Sequence, residues 1–270
     1  MDKICNEAFE ANRRRLFELM PENSALFLQA GKPKIRSGDT TYPYSPERNL
    51  YYLTGYENRQ AALLMKKEGN KLSTEMFVIE LTPLQVHWFG DLPRPEKVKE
   101  MTGIETVKAI SDLPAVLTRT LGVVDTLFLD FDPLPTTDSL TETHQLAQKL
   151  RNSCPHIRIQ RLHPLIACLR ELKDDWEIQQ VANAVKLTHS GISRMLKHLE
   201  PGIKEYELEA WFNLDLHLNR SCNSFPTIVA GGKNATELSG ISDKTYFELV
   251  TETGTDLARI WPTKKHFTSW

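Results

Sequence analysis

Apolar positions between Lys3 and Met20 recur at helical spacing, through Ile4, Phe9, Leu16, Leu19 and Met20. That spacing predicts an amphipathic helix with the run Arg13-Arg14-Arg15 turned to water. Ser24–Leu28 predicts a buried strand, and Gly31–Pro43, rich in Gly, Pro, Ser and Thr, a loop. A short apolar stretch, Leu50-Tyr51-Tyr52-Leu53-Thr54-Gly55-Tyr56, is punctuated by its glycine. Ala61–Met65 and Met76–Glu80 read as strands around the polar turn Glu68-Gly69-Asn70. Pro95–Met101 and Leu113–Leu121 predict helices, Thr126–Phe131 a strand, Asp138–Asn152 a helix capped by Asp138 or Ser139, and Ile157–Gln160 a strand. Strands alternating with helices imply an α/β domain on a mixed sheet. Its expected end is the proline break at Leu162-His163-Pro164, which divides the chain into residues 1–163 and 164–270.

The second segment opens on Asp174, whose carboxylate can cap the free amides of a first helical turn, with Glu177 placed to complete a capping box. Ile178, Val181, Val185, Thr188, Ile192, Met195 and Leu199 then repeat every three or four residues, predicting one buried stripe along a long helix. Pro201-Gly202 ends it, and Glu205–Arg220 forms a second helix carrying Leu208, Trp211, Phe212 and Leu218. Phe225–Ala230 reads as a strand followed by a turn at Gly231-Gly232.

Composition narrows the possible roles. With 40% hydrophobic and 25% charged residues, the chain has the balance of a soluble globular protein. A net charge of −2 without a basic block argues against nucleic acid as a partner. No apolar run is long enough to cross a bilayer, so no membrane association is expected. The polar, acidic N-terminus does not resemble a secretory signal. Cys5, Cys154, Cys168 and Cys222 are scattered without a C-x-x-C pair, which suits reduced thiols in the cytoplasm better than a zinc site or a disulfide framework. His87, His144, His163, His189, His198 and His217 show no metal-ligand spacing. Gly231-Gly232-Lys233 lacks the spacing of a phosphate loop. Ser190, Ser193 and Ser239 have no partner histidine at a readable distance.

Three stretches carry a family resemblance. Tyr51-Tyr52-Leu53-Thr54-Gly55-Tyr56 is similar to a signature in the N-terminal domain of Xaa-Pro aminopeptidase (aminopeptidase P). Arg170-Glu171-Leu172-Lys173, with Glu177-Ile178 and Ala184, resembles the first helix of that family's catalytic domain. Ser224–Thr236 resembles its F-x-x-I-V-A-x-G-x-N-A strand and turn. The resemblance implies a ribonuclease-H-like mixed-sheet domain used for oligomer contacts, followed by a pita-bread (α+β) metallopeptidase domain. It further implies two manganese ions held by two Asp, one His and two Glu, and release of the residue preceding proline from peptides. Paired divalent cations can activate a bridging hydroxide and polarise the scissile carbonyl, and hard oxygen ligands suit manganese.

The chain departs from that pattern after Thr236. Ser239 stands where the family has a substrate-binding histidine, and a neutral hydroxyl does not replace an imidazole. Asp256-Leu257-Ala258-Arg259-Ile260-Trp261-Pro262 resembles the motif of the second metal-binding Asp, with Asp256 on the ligand position. Glu252-Thr253-Gly254 resembles a degenerate form of the first. On a single strand Glu252 and Asp256 would lie ~13 Å apart, whereas paired ions sit only about 3.5–4 Å apart. His266 is the one histidine beyond Asp256. The expectation is therefore a partial pita-bread domain in a truncated family member. Asp256 is its single candidate metal ligand, manganese is not stably held, and there is no independent hydrolysis. The alternative expectation is a non-catalytic binding module that pairs with itself or a longer relative through the N-terminal domain. Creatinase-like chemistry on the same fold would need the same missing histidines.

Overall fold

The computed structural model describes residues 3–131, 141–223, 227–231, 246–252 and 256–262. The chain divides into two compact units, Met1–Leu172 and Lys173–Trp270.

In the first unit, α1 (Lys3–Leu19) leads into β1 (Ser24–Gln29), a small hairpin of β2 (Ile35–Ser37) and β3 (Thr40–Thr41), and α2 (Arg48–Thr54). β4 (Ala61–Glu68) and β5 (Lys71–Val78) follow, then α3 (Pro83–Phe89), α4 (Pro95–Thr102) and β6 (Thr106–Ala109). The unit closes with α5 (Leu113–Leu121), β7 (Thr126–Leu129), α6 (Glu142–Ser153), β8 (Arg158–Arg161) and α7 (His163–Glu171). Six strands form one sheet in the order β6-β5-β4-β1-β7-β8. Only β4 runs against the rest: it is antiparallel to β1 and β5, while the β1–β7, β7–β8 and β5–β6 pairs are parallel. This is the expected mixed sheet.

Period-two alternation sends side chains to both faces. Leu26, Leu28, Leu63, Met65, Met76, Val78 and Phe128 pack on one side with residues of α1, α2, α4 and α7. Ala25, Phe27, Ala62, Leu64, Phe77, Leu127 and Leu129 pack on the other with residues of α5 and α6. A sheet covered on both faces explains why β1 and β4 read as nearly continuous apolar runs.

Four differences from the sequence reading have local causes. The first unit continues past His163 because Leu162, Ile166 and Leu169 belong to its core. Pro164 starts α7 there, as proline can in a first turn whose amides have no helical partner. Arg13 does not face water; it is 4% exposed. Pro83–Phe89 is a helix, opened by a capping box between Thr82 and Gln85. The expected caps Asp138 and Ser139 lie outside the described residues, and Thr141 caps α6 instead, at Glu142.

In the second unit, α8 (Asp175–Lys197) begins at the expected capping box of Asp174 and Glu177. α9 (Glu205–Leu218) packs against it through Ile192, Met195, Leu208, Phe212 and Leu216. Gly191 permits the approach, since an added Cβ would fall 2.7 Å from the Phe212 ring. The predicted stripe is buried only in its later half: Ile178, Val181 and Val185 are 55%, 42% and 39% exposed. Three strands, β9 (Ile228–Gly231), β10 (Tyr246–Glu252) and β11 (Asp256–Pro262), form an antiparallel sheet in the order β11-β10-β9.

Candidate functional site

The Tyr51–Tyr56 signature folds as α2 and its cap. Glu47 caps the N-terminus, its two carboxylate oxygens accepting from the Asn49 and Leu50 amides at 2.8 and 2.6 Å. Gly55 ends the helix in the left-handed region at φ 65°, and its amide donates to the Tyr51 carbonyl. Asn49 Nδ2 donates to Asp130 Oδ2 at 2.6 Å, and Arg170 Nη1 donates to Asn49 Oδ1 at 2.9 Å. The Arg170 guanidinium also lies 5.3 Å from the centroid of the Tyr52 ring. Asn49, two residues ahead of the signature, thus joins the end of β7 to the last turn of α7, and Tyr52 within the signature adds a contact to Arg170. Burial pushes the Glu47 carboxyl above its ordinary range, and the Asp130 carboxylate adds to this against the two capping amides, which pull it down. Tyr44 is likewise pushed up to about 12, by burial and then by the Glu47 charge.

Arg13 is a second feature that the sequence reading missed. Its Nη1 donates to the Leu53 carbonyl at 2.7 Å and its Nη2 to the Thr102 carbonyl at 3.0 Å. These are carbonyls at the C-termini of α2 and α4, where helix dipoles favour a cation. Desolvation lowers the Arg13 pKa to about 10 despite the opposing pull of Glu10, and the guanidinium stays charged at neutral pH. The signal available in the sequence was the shared Leu-Thr-Gly and Met-Thr-Gly endings of the two helices.

In the second unit, Asp215 is 2% exposed and accepts from Arg194 Nε at 2.6 Å, tying α9 to α8. His198 stacks on Trp211 with ring centroids 3.6 Å apart, and its Nδ1 lies 2.9 Å from the Arg194 carbonyl oxygen. Glu205 Oε1 accepts from the Gly231 amide, holding β9 to the start of α9.

Asp256, the predicted ligand, is the first residue of β11, and its Cα partner across the hairpin is Glu252, the last residue of β10. The two therefore do not share a strand. Residues directly opposed in an antiparallel pair have Cα atoms about 4.5–5.5 Å apart, so the ~13 Å separation expected for one strand does not apply. Ser239 and His266 lie outside the described residues. Among the described residues no three His, Cys, Asp or Glu side chains gather where they could hold a metal ion.

Comparison with known proteins fits this division. The family "Aminopeptidase P, N-terminal domain" matches residues 9–128, and "Metallopeptidase family M24" matches residues 179–254. An Xaa-Pro aminopeptidase of Haemophilus influenzae is 29% identical over 240 residues, covering 87% of this chain and 53% of its own length. The Xaa-Pro aminopeptidase of Escherichia coli is 25% identical over 244 residues, covering 87% of this chain and 54% of its own length. A solved Bacillus anthracis structure assigned to aminopeptidase P superposes with a TM-score of 0.91 at 29% identity, over 98% of this chain and 66% of that one. The chain spans about half the length of these two curated relatives, at 53% and 54%. An N-terminal-domain match is thus followed by an M24 match, and the chain is similar in sequence and fold to aminopeptidase P proteins of the M24 metallopeptidases.

Proposed function

We propose that the protein serves metal-dependent release of an N-terminal residue that precedes proline, and that residues 1–270 on their own do not catalyse it. The observation carrying the first part is the ordered pair of family matches on one fold. The second part rests on the donor set. The resemblance puts Asp256 on a family ligand position, and Glu252 opposes it in register. Tight binding of a hard cation takes several oxygen ligands. We therefore assign manganese as the family's metal, Asp256 as a contributor to its site, and proline-containing peptides as the substrate class. No step of hydrolysis is assigned to this stretch of chain. We place the protein in the cytoplasm, in keeping with Cys154, Cys168 and Cys222 as free thiols.

The test is incubation of the purified chain with an Xaa-Pro-Pro peptide and manganese, beside the Haemophilus influenzae enzyme under the same conditions. The expected result is cleavage by the relative and none by the chain. Turnover by the chain that EDTA abolishes would overturn the proposal of silence. Tight binding of the peptide with neither cleavage nor metal dependence would overturn the peptidase assignment.

One observation favours a second reading, a non-catalytic module that self-associates. Ile178, Val181 and Val185 line up on the first half of α8 and are all more than a third exposed. Apolar surface of this kind marks association sites. Size-exclusion chromatography with light scattering separates the readings: a monomer at high concentration removes this one.

A further inference from the structure

The segments that follow β1, β5, β6 and β7 all leave the six-stranded sheet at one edge, because these strands run in the same direction. β4 enters at that edge. In open α/β sheets, ligands bind outside the carboxyl ends of the strands, where the connections part. A cavity of about 260 Å3 opens at this edge. Its volume falls just below the ~300–1,000 Å3 of sites for drug-sized ligands, which suits a smaller metabolite.

The lining has three parts. Ile79, Ile110 and Leu113 supply an apolar wall. Gln29 and Gln60 add polar residues to the lining. Lys32 and Glu142 meet at the rim in an ion pair of 3.1 Å, with side chains 63% and 57% exposed. A pair that open contributes little to stability, so a ligand can separate it cheaply. A singly charged ligand would leave one partner without a counter-charge. A zwitterion would satisfy both.

The backbone at the wall is also unusual. Gln60 sits in the left-handed region at φ 53°, its amide donating to the Gly31 carbonyl at 3.2 Å. That conformation is strained for a non-glycine residue, and such strain concentrates at ligand clamps.

We propose that this cavity binds a free α-amino acid with an aliphatic side chain. Its carboxylate lies against Lys32, its ammonium against Glu142, and its side chain between Ile79, Ile110 and Leu113. The site belongs to the first unit and is independent of the peptidase assignment.

The test is calorimetric titration of the 270-residue chain with L-leucine, glycine, isopentylamine and 4-methylpentanoate. Saturable leucine binding is expected, with each of the other three at least roughly tenfold weaker, a loss of about 1.4 kcal/mol. K32Q and E142Q should each weaken leucine binding by a similar factor without changing the melting temperature, since both side chains are exposed. L113W should abolish binding by filling the cavity. No saturation at millimolar leucine, equal binding of the amine or the acid alone, or unchanged affinity in K32Q and E142Q would overturn the proposal.

Discussion

Thr54 and Thr102 occupy equivalent places in two copies of one helix cap. Each is fully buried. Each hydroxyl donates to the carbonyl four residues back, Leu50 and Val98, at 2.8 Å. Each then accepts from the amide two residues on, Tyr56 at 3.1 Å and Ile104 at 3.2 Å. A left-handed glycine follows both, Gly55 at φ 65° and Gly103 at φ 66°. The Arg13 guanidinium spans the pair through the Leu53 and Thr102 carbonyls. One buried cation from α1 thereby neutralises two helix C-termini, and α2 and α4 are fixed to the same turn of α1.

Removing that cation leaves two buried carbonyls without donors. Hydrogen bonds to charged groups contribute about 1.5–3 kcal/mol each, and the desolvation cost of the guanidinium offsets part of the sum. Arg13→Met is therefore expected to lower unfolding free energy by about 3 kcal/mol in urea titrations. Arg13→Lys keeps the charge but reaches only one carbonyl, and is expected to fall between. Wild-type stability in Arg13→Met would refute the bridging role.

The two cap glycines look alike in backbone but differ in surroundings. A Cβ at Gly55 would fall 2.2 Å from Phe9 Cε2, and Phe9 is 1% exposed. At Gly103 the nearest atom is Arg13 Nη2, at 3.5 Å. Gly103→Ala is expected to lose only the conformational cost of roughly 1–2 kcal/mol. Gly55→Ala adds overpacking, typically about 1–3 kcal/mol more. Equal urea midpoints for the two variants would show that Phe9 yields freely.

Local chemistry was the most legible part of the sequence. The Asp174–Glu177 capping box acts within four residues, and it starts α8 where expected. The short apolar runs of β1, β4 and β7 likewise located strands of the sheet. What depends on distant chain was not legible. Arg13 belonged to a run of three arginines, yet successive helical residues turn by about 100°, so one of the three could point inward. The apolar stripe of α8 was visible, but which half is covered depends on where α9 packs. Glu252 and Asp256 lie close along the chain, but the antiparallel pairing of β10 and β11 sets them opposite one another on separate strands. Pro164 reads as a terminator in the sequence alone, because its role depends on whether the next residues find a core, as Ile166 and Leu169 do.

Glu47 and Asp130 make the stability of the first unit depend on pH. Burial and the Asp130 charge raise the Glu47 carboxyl above its unfolded value. A group raised in this way favours the folded state fully below its unfolded pKa, and that contribution is lost as pH rises through the folded value. Asp130→Asn removes the like charge while its amide can still donate to Glu47 and its carbonyl accept from Asn49. Higher stability than wild type is expected at neutral pH, with the two converging below the ordinary glutamate pKa of about 4.3. Parallel pH profiles from thermal melts would rule out this coupling.

Asp215 carries the opposite sign. Burial pushes its carboxyl up, but hydrogen bonds from Ser190 and Arg194, together with the Arg194 charge, outweigh burial and leave the pKa below its ordinary value. The folded pKa then lies under the unfolded one. The contribution is present above the unfolded pKa and is lost as pH falls through the folded value. Breaking a fully buried pair costs about 3–5 kcal/mol. Here Arg194 is 37% exposed and water offsets part of the loss. Asp215→Asn is therefore expected to destabilise the chain by about 2 kcal/mol at neutral pH and to flatten the acid limb of its stability profile. Arg194→Met should reproduce the loss, and the double variant should lose less than the sum, because both changes remove one shared interaction. Additive losses would show that Arg194 and Asp215 stabilise α8 and α9 separately rather than as a pair.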